Sequence, residues 1–169
     1  MKLFKKSWTS IEEISQTSPE DPRKILKKTK GIIAGSFDLI HPGYVRMFRD
    51  SKESCDCLIV ALQGDPTIDR PSKCRPVQSL EDRLEILQSI RYIDEILVYN
   101  TELELKKLLS ETDHDFRILG TDYKDKDYTG RDLKKPVLWI QRDHSYSTTS
   151  LKDAICAERC ESRKKNKVD

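Results

Sequence analysis

The chain has 169 residues, 36% of them charged and 36% hydrophobic, with 31 lysines and arginines against 29 aspartates and glutamates and a formal net charge of +2. This length predicts one domain with a full core rather than two, and the polar balance excludes a greasy or membrane-embedded chain, since no apolar run reaches the length of a membrane span. The near-neutral charge argues against nucleic acid as the main partner, in spite of the basic stretch Arg163-Lys164-Lys165-Asn166-Lys167.

Residues 1 to 29 form an N-terminal arm. In it Phe4, Trp8, Ile11 and Ile14 recur at roughly helical spacing, which fits a short amphipathic helix or a loosely attached segment. The basic residues at its start are followed by no long apolar segment, which argues against a secretory signal or an anchor and predicts a cytoplasmic protein. The domain proper is expected over residues 30 to 160, and a basic flexible tail over 161 to 169.

A short apolar run predicts a strand over residues 32 to 35, and a helix follows near 43 to 53 with Tyr44, Val45, Met47 and Phe48 on its inner face. Residues 57 to 62 are continuously apolar, as a strand buried on both sides would be. Residues 65 to 76 hold three prolines together with Arg70, Lys73 and Arg75, and read as a long loop. Leu80, Leu84, Leu87 and Ile90 mark a helix, residues 96 to 99 a strand, and Leu105, Leu108 and Leu109 another helix. A strand over 116 to 119 ends at Gly120-Thr121-Asp122, residues 124 to 135 are irregular, and the last strand covers 137 to 140. Ser147, Thr148, Thr149 and Ser150 offer N-caps to a closing helix whose buried face carries Leu151 and Ile155. Strands alternating with helices imply right-handed crossovers and an α/β, doubly wound parallel sheet with helices on both faces.

Five cysteines, Cys55, Cys57, Cys74, Cys156 and Cys160, are odd in number and lie in apolar or helical contexts, so free thiols are expected. Cys156 and Cys160 stand four apart on one predicted helix, but no Cys or His partner stands at zinc-finger spacing, and no metal site is expected.

In such a sheet a ligand lies at the carboxyl ends of the strands, where the strand order reverses. The glycine-rich, basic and hydroxyl-rich stretches of the chain fall in the loops expected there. Gly35 allows close approach to the backbone, Pro42 suits a first helical turn, and His41 stands among the N–H groups of a helix N-terminus, a natural seat for phosphate.

The stretch Gly35-Ser36-Phe37-Asp38-Leu39-Ile40-His41-Pro42-Gly43-Tyr44 resembles the G-x-F-D-x-x-H-x-G-H signature of the cytidylyltransferase-like nucleotidyltransferases, which include glycerol-3-phosphate cytidylyltransferase and heptose-phosphate adenylyltransferase. Tyr44 stands where that signature has its second histidine. Residues 75 to 83 are similar to the R-P-V-x-x-L-x-x-R segment of the adenylyl branch, and residues 90 to 95 to the I-R-Y-V-D-E of the cytidylyl branch. Gly120-Thr121-Asp122-Tyr123 matches a G-x-D-[WY] turn, and residues 142 to 149 match an R-T-x-G-I-S-T-T block at Arg142, Ser147 and Thr148. These motifs keep their order over residues 31 to 156.

The resemblance implies a Rossmann-like five-stranded fold and attack by a substrate phosphate on the α-phosphorus of a nucleoside triphosphate. CTP is favoured through residues 90 to 95, ATP is the alternative through residues 75 to 83 and 120 to 124, and magnesium is carried with the triphosphate. The acceptor is a phosphorylated polyol or sugar, and the chain is expected to form a homodimer. By the same resemblance His41, Lys73, Arg142 and Tyr44 are the catalytic candidates, with Arg70 and Arg75 as alternatives to Lys73. Gly35, Ser36, Phe37, Asp38, Gly43, Arg83, Arg91, Gly120, Asp122, Ser147 and Thr148 are the candidate nucleotide-binding residues, Arg91 having a dimer contact as its alternative. A phenol donates a hydrogen bond but carries no positive charge at neutral pH, so Tyr44 also keeps open a nucleotide-binding module of weak turnover.

Overall fold

The computed structural model describes residues 28–141 and 144–165, with the side chains of its last helix up to residue 158. The arm carrying Phe4, Trp8, Ile11 and Ile14, the residue Arg142, the side chain of Cys160, and the tail beyond residue 165 lie outside the described residues. The elements run β1 (Lys30–Gly35), α1 (Pro42–Glu53), β2 (Cys57–Gln63), α2 (Leu80–Gln88), β3 (Glu95–Tyr99), α3 (Glu102–Glu111), β4 (Phe116–Gly120), β5 (Val137–Ile140) and α4 (Thr148–Lys165). Two short 3-10 turns, Thr121–Tyr123 and Arg131–Leu133, occupy the irregular stretch between β4 and β5.

All five strands pair in parallel in the order β3-β2-β1-β4-β5. Alternation along the strands divides the core. Ile33, Leu58, Val60, Leu62 and Ile118 face one side with Phe37 and Phe48, while Ile32, Ile59 and Ala61 face the other with Leu105 and Leu109 of α3. A strand that buries both faces needs apolar residues at successive positions, and β2 supplies them.

The helices start where the sequence supplies caps. Ser79 accepts the N–H of Asp82 while Asp82 reaches back to the N–H of Ser79, and Thr101 accepts the N–H of Glu104. Three expectations need correction. Val45 is exposed rather than on the inner face of α1, because Phe48, one turn on from Tyr44, sets the buried stripe. Ile155 is exposed on α4, and Ile90 lies beyond the end of α2, in the turn that leads to β3.

The strand order reverses between β1 and β4. These two pair only from Gly31↔Phe116 to Ile33↔Ile118, whereas β1 stays paired with β2 to Gly35↔Leu62 and β4 with β5 to Gly120↔Ile140. The sheet therefore parts at its carboxyl edge between β1 and β4, the place a doubly wound fold offers to a ligand.

Candidate active site

The chain leaves β1 through a tight corner. Phe37 and Leu39 both take left-handed backbone conformations, with φ of 46° and 50°. Bulky residues pay about 1–3 kcal/mol each for this, and such strain persists only where surroundings over-determine it. The Phe37 ring lies in the core, 5.3 Å from Phe48 and 5.5 Å from Tyr44 between centroids. Asp38, 2% exposed, accepts the N–H groups of Val77 at 3.0 Å and Gln78 at 3.1 Å and pairs with Lys152 at 2.8 Å. Gln78 in turn accepts the N–H of Leu39. Burial alone would push the Asp38 carboxyl up; the Lys152 ammonium and the two N–H groups outweigh it and hold the carboxyl below its usual range.

Arg83 completes this clasp. It is 2% exposed, and its guanidinium donates to the carbonyls of Ser36 and Gln63, each at 2.7 Å, and of Gly64 at 2.6 Å, with Nε shared between Gln78 and Ser79. With four of its five N–H donors on main-chain oxygens, it ties the ends of β1 and β2 together. Ser36, Phe37 and Asp38 are likewise held within the corner. Gly35 lies against the Phe37 ring.

Above the corner a cleft of about 500 Å³ is lined by His41, Gly43, Tyr44, Arg46, Lys73, His144, Tyr146, Ser147 and Thr148, with Ile140 at the end of β5. His41 is the N-cap of α1, and no side chain caps that helix. Its imidazole stacks on Tyr44 at 4.3 Å and lies nearly parallel to Tyr146 at 6.1 Å. The Tyr44 hydroxyl meets the Thr148 hydroxyl at 3.2 Å. Because Thr148 Oγ1 donates to the Asp38 carbonyl, Tyr44 is the donor of that pair. Ser147 caps α4 by accepting the N–H of Ser150. The N-termini of α1 and α4 thus meet at the cleft, each bringing its positive dipole end.

The three bases of the loop before α2 part company. Lys73 lines the cleft, Arg70 is held by Gln63 and Glu102, and Arg75 pairs with Asp65. Asp50 is the cleft's carboxylate among the described residues, and it pairs with Arg49. This arrangement suits a polyanion.

Two groups of expected residues are not brought into the cleft. Arg91 lies in the turn from α2 to β3, at the amino edge of the sheet, where its guanidinium covers the Tyr92 ring at 4.9 Å. A crossover helix carries the chain back to that edge, which is the wrong end for a ligand. Gly120 and Asp122 stand at the carboxyl end of β4; Gly120 is in register with Ile140 of the cleft. Sequence reasoning passed over Arg46, His144 and Tyr146. Arg46 was legible in principle, being one turn after Gly43 on α1, and its guanidinium covers the Tyr146 ring at 5.5 Å.

The family description cytidylyltransferase-like matches residues 32–162, from β1 through most of α4. The chain belongs to the cytidylyltransferase-like family. This cytidylyltransferase-like chain is 32% identical over 143 residues to the bifunctional protein HldE of Wolinella succinogenes, covering 84% of the chain and 29% of that relative. It is 29% identical over 149 residues to the bifunctional protein HldE of Campylobacter concisus, covering 88% of the chain and 30% of the relative. It therefore spans less than a third of the length of these curated relatives. The lipopolysaccharide core biosynthesis protein from Thermoplasma volcanium superposes with a TM-score of 0.56 at 22% identity, over 71% of this chain and 99% of that one. Pantoate-beta-alanine ligase from Francisella tularensis does so with a TM-score of 0.51 at 17% identity, over 72% and 62%. Both likenesses are of fold. Among the described residues no helix is long and apolar enough to cross a membrane.

Proposed function

We propose that this domain transfers the nucleotidyl group of a nucleoside triphosphate, ATP in first place, to the phosphate of a phosphorylated sugar of the heptose type, releasing pyrophosphate. The observation that carries this reading is the meeting of two helix N-termini with His41, Lys73, Ser147 and Thr148 around one cleft at the strand switch point. In the reaction an acceptor phosphate oxygen forms a bond to the α-phosphorus. The bond from that phosphorus to the α,β-bridging oxygen breaks, and its electron pair leaves on pyrophosphate. No covalent intermediate is needed, only in-line alignment and neutralisation of the charge that builds on the phosphoryl and leaving oxygens. His41 and the first turn of α1 take the α-phosphate side, Lys73 closes from the loop before α2, and the start of α4 takes the β and γ phosphates. Arg142 adds a base to the same loop as Ser147, and magnesium enters with the triphosphate.

The choice of ATP over CTP rests on where the branch-specific stretches lie. Residues 75 to 83 and 120 to 124, similar to the adenylyl branch, border the carboxyl edge. Residues 90 to 95, similar to the cytidylyl branch, lie at the amino edge, where Asp94 accepts the N–H of Leu58 at 2.7 Å and pairs with Lys52 at 2.6 Å. A stretch engaged in that latch has no bearing on a base at the other edge. Similarity to the HldE proteins favours the same branch.

The test is pyrophosphate release from each of the four nucleoside triphosphates with magnesium and a panel of phosphorylated sugars and polyols. Release with ATP and a heptose phosphate is expected. Release with CTP and a polyol phosphate would move the chain to the cytidylyl branch. Tight triphosphate binding without release across the panel would favour a binding module, a reading for which the engaged Tyr44 hydroxyl speaks.

A further inference from the structure

His144, midway along the β5–α4 loop, falls at a variable place of its motif block, yet it lines the cleft. The His144 ring packs closely against Gly43 in the first turn of α1: a Cβ at position 43 would stand 2.5 Å from its Cε1, 2.8 Å from Nε2 and 3.1 Å from Nδ1. Only glycine leaves room for that approach. The Tyr146 ring lies beside the imidazole, at 5.6 Å and a tilt of 53°. Nδ1 of His144 is buried and has no hydrogen-bond partner among the described residues. A buried ring nitrogen left unpaired costs free energy, which sets this ring apart from one placed for stability.

Position 44, beside this ring, carries a neutral phenol whose hydroxyl is already committed to Thr148 and whose ring is stacked on His41. The helix start therefore has one imidazole from its own sequence, His41, and a second delivered across space by His144.

We propose that His144 is a polyphosphate ligand of this cleft, supplying from the β5–α4 loop the second imidazole that the first turn of α1 lacks at Tyr44. The inference rests on the reading of the cleft as a triphosphate site and names one of its ligands. Packed against Gly43 and beside Tyr146, the ring has little freedom to lose on binding, and it lines the cleft together with Lys73, Ser147 and Thr148.

The experiment is equilibrium titration of the full chain with inorganic tripolyphosphate and, separately, with adenosine. The parent, His144→Gln, and the double variant Tyr44→His/His144→Gln are compared. Loss of one charge-assisted contact predicts about tenfold weaker tripolyphosphate binding in His144→Gln, the change that about 1.4 kcal/mol produces, with adenosine binding within about twofold of the parent. Restoring an imidazole at position 44 should recover most of that loss. Tripolyphosphate affinity within about twofold of the parent in His144→Gln would overturn the proposal, as would equal losses for both ligands or no recovery in the double variant, which are the marks of a structural role. Because binding is read without turnover, these outcomes stand whether or not the parent releases pyrophosphate, and the failure of one reading is distinguishable from the failure of the other.

Discussion

Charged side chains crowd both edges of the sheet, but at the amino edge they close on one another and at the carboxyl edge they surround an opening. At the amino edge Asp56 accepts from Thr29, Asp113 pairs with Lys30, Asp115 accepts the Lys30 N–H, and Asp94 joins Lys52 to the start of β2. Each carboxylate there ends a strand or a turn. At the carboxyl edge the carboxylates withdraw beneath the surface, as Asp38 does under Lys152, or pair off to the side, as Asp65 and Glu102 do with Arg75 and Arg70. Around the cleft stand imidazoles, guanidinium, ammonium and helix N-termini, with Asp50, paired to Arg49, as its carboxylate among the described residues. A charged motif therefore carries functional weight according to the edge on which the fold sets it, and similarity to a signature does not by itself say which edge that is.

The contrast is broken most severely at Arg83, the charge that lies at the carboxyl edge but behaves as one of the amino-edge latches. Arg83→Met should strip several buried carbonyls of their donors and cost on the order of 3–5 kcal/mol, about 10 °C in melting temperature. A thermal shift of less than about 3 °C would mean that the clasp is dispensable. His41→Ala tests the opposite class. Turnover should fall by about a hundredfold or more while the melting temperature stays within a few degrees, and a steady-state assay beside a thermal melt checks both. Normal turnover in the folded variant would remove His41 from the chemistry.

Asp38 sharpens the comparison through pH. Its folded carboxyl titrates below the usual 3.8, so the stability it contributes is present above that pH and lost as pH falls through the lowered folded value. Asp38→Asn should accordingly melt lower than the parent at pH 7, with the gap narrowing below about pH 4; a gap that is constant across a pH series would contradict the ion pair as its source. The smallest effect is expected at Tyr44→Phe. It removes the hydroxyl that Tyr44 donates to Thr148 and leaves the ring stacked on His41, for a loss of about 0.5–1.5 kcal/mol by denaturant titration. A much larger fall in turnover than in stability would instead assign the phenol to the reaction.

The sheet was legible because strand burial writes itself directly into runs such as residues 57 to 62, and the switch point follows from the alternation of strands and helices. The corner was legible as a motif but not as a geometry. Phe37 and Leu39 take left-handed backbone that neither residue type signals, and nothing local in the sequence tells that Asp38 is bound from residues 77, 78 and 152. Among Arg70, Lys73 and Arg75 composition could not choose, since each is a base in the same loop; the choice is made by the carboxylates that hold the other two, Glu102 from α3 and Asp65 from the loop itself. Arg83 and Arg91 both match signature positions and neither lines the cleft, the one because it is buried under main-chain oxygens and the other because it lies past the end of α2. His144 was hidden for the reverse reason: it falls at a variable place of its block, and only folding lays it on Gly43.

The short pairing of β1 with β4 bears on how such a cleft can move. Beyond Ile33↔Ile118 the two strands share no ladder, while each remains fastened to its outer neighbour up to Gly35↔Leu62 and Gly120↔Ile140. The sheet is a fork with two stiff prongs. Spreading or closing the tips by a small angle changes the width of the site without breaking a single interstrand hydrogen bond. Flexing at the crotch of the fork at Ile33 would change the opening and leave the contacts of the core intact.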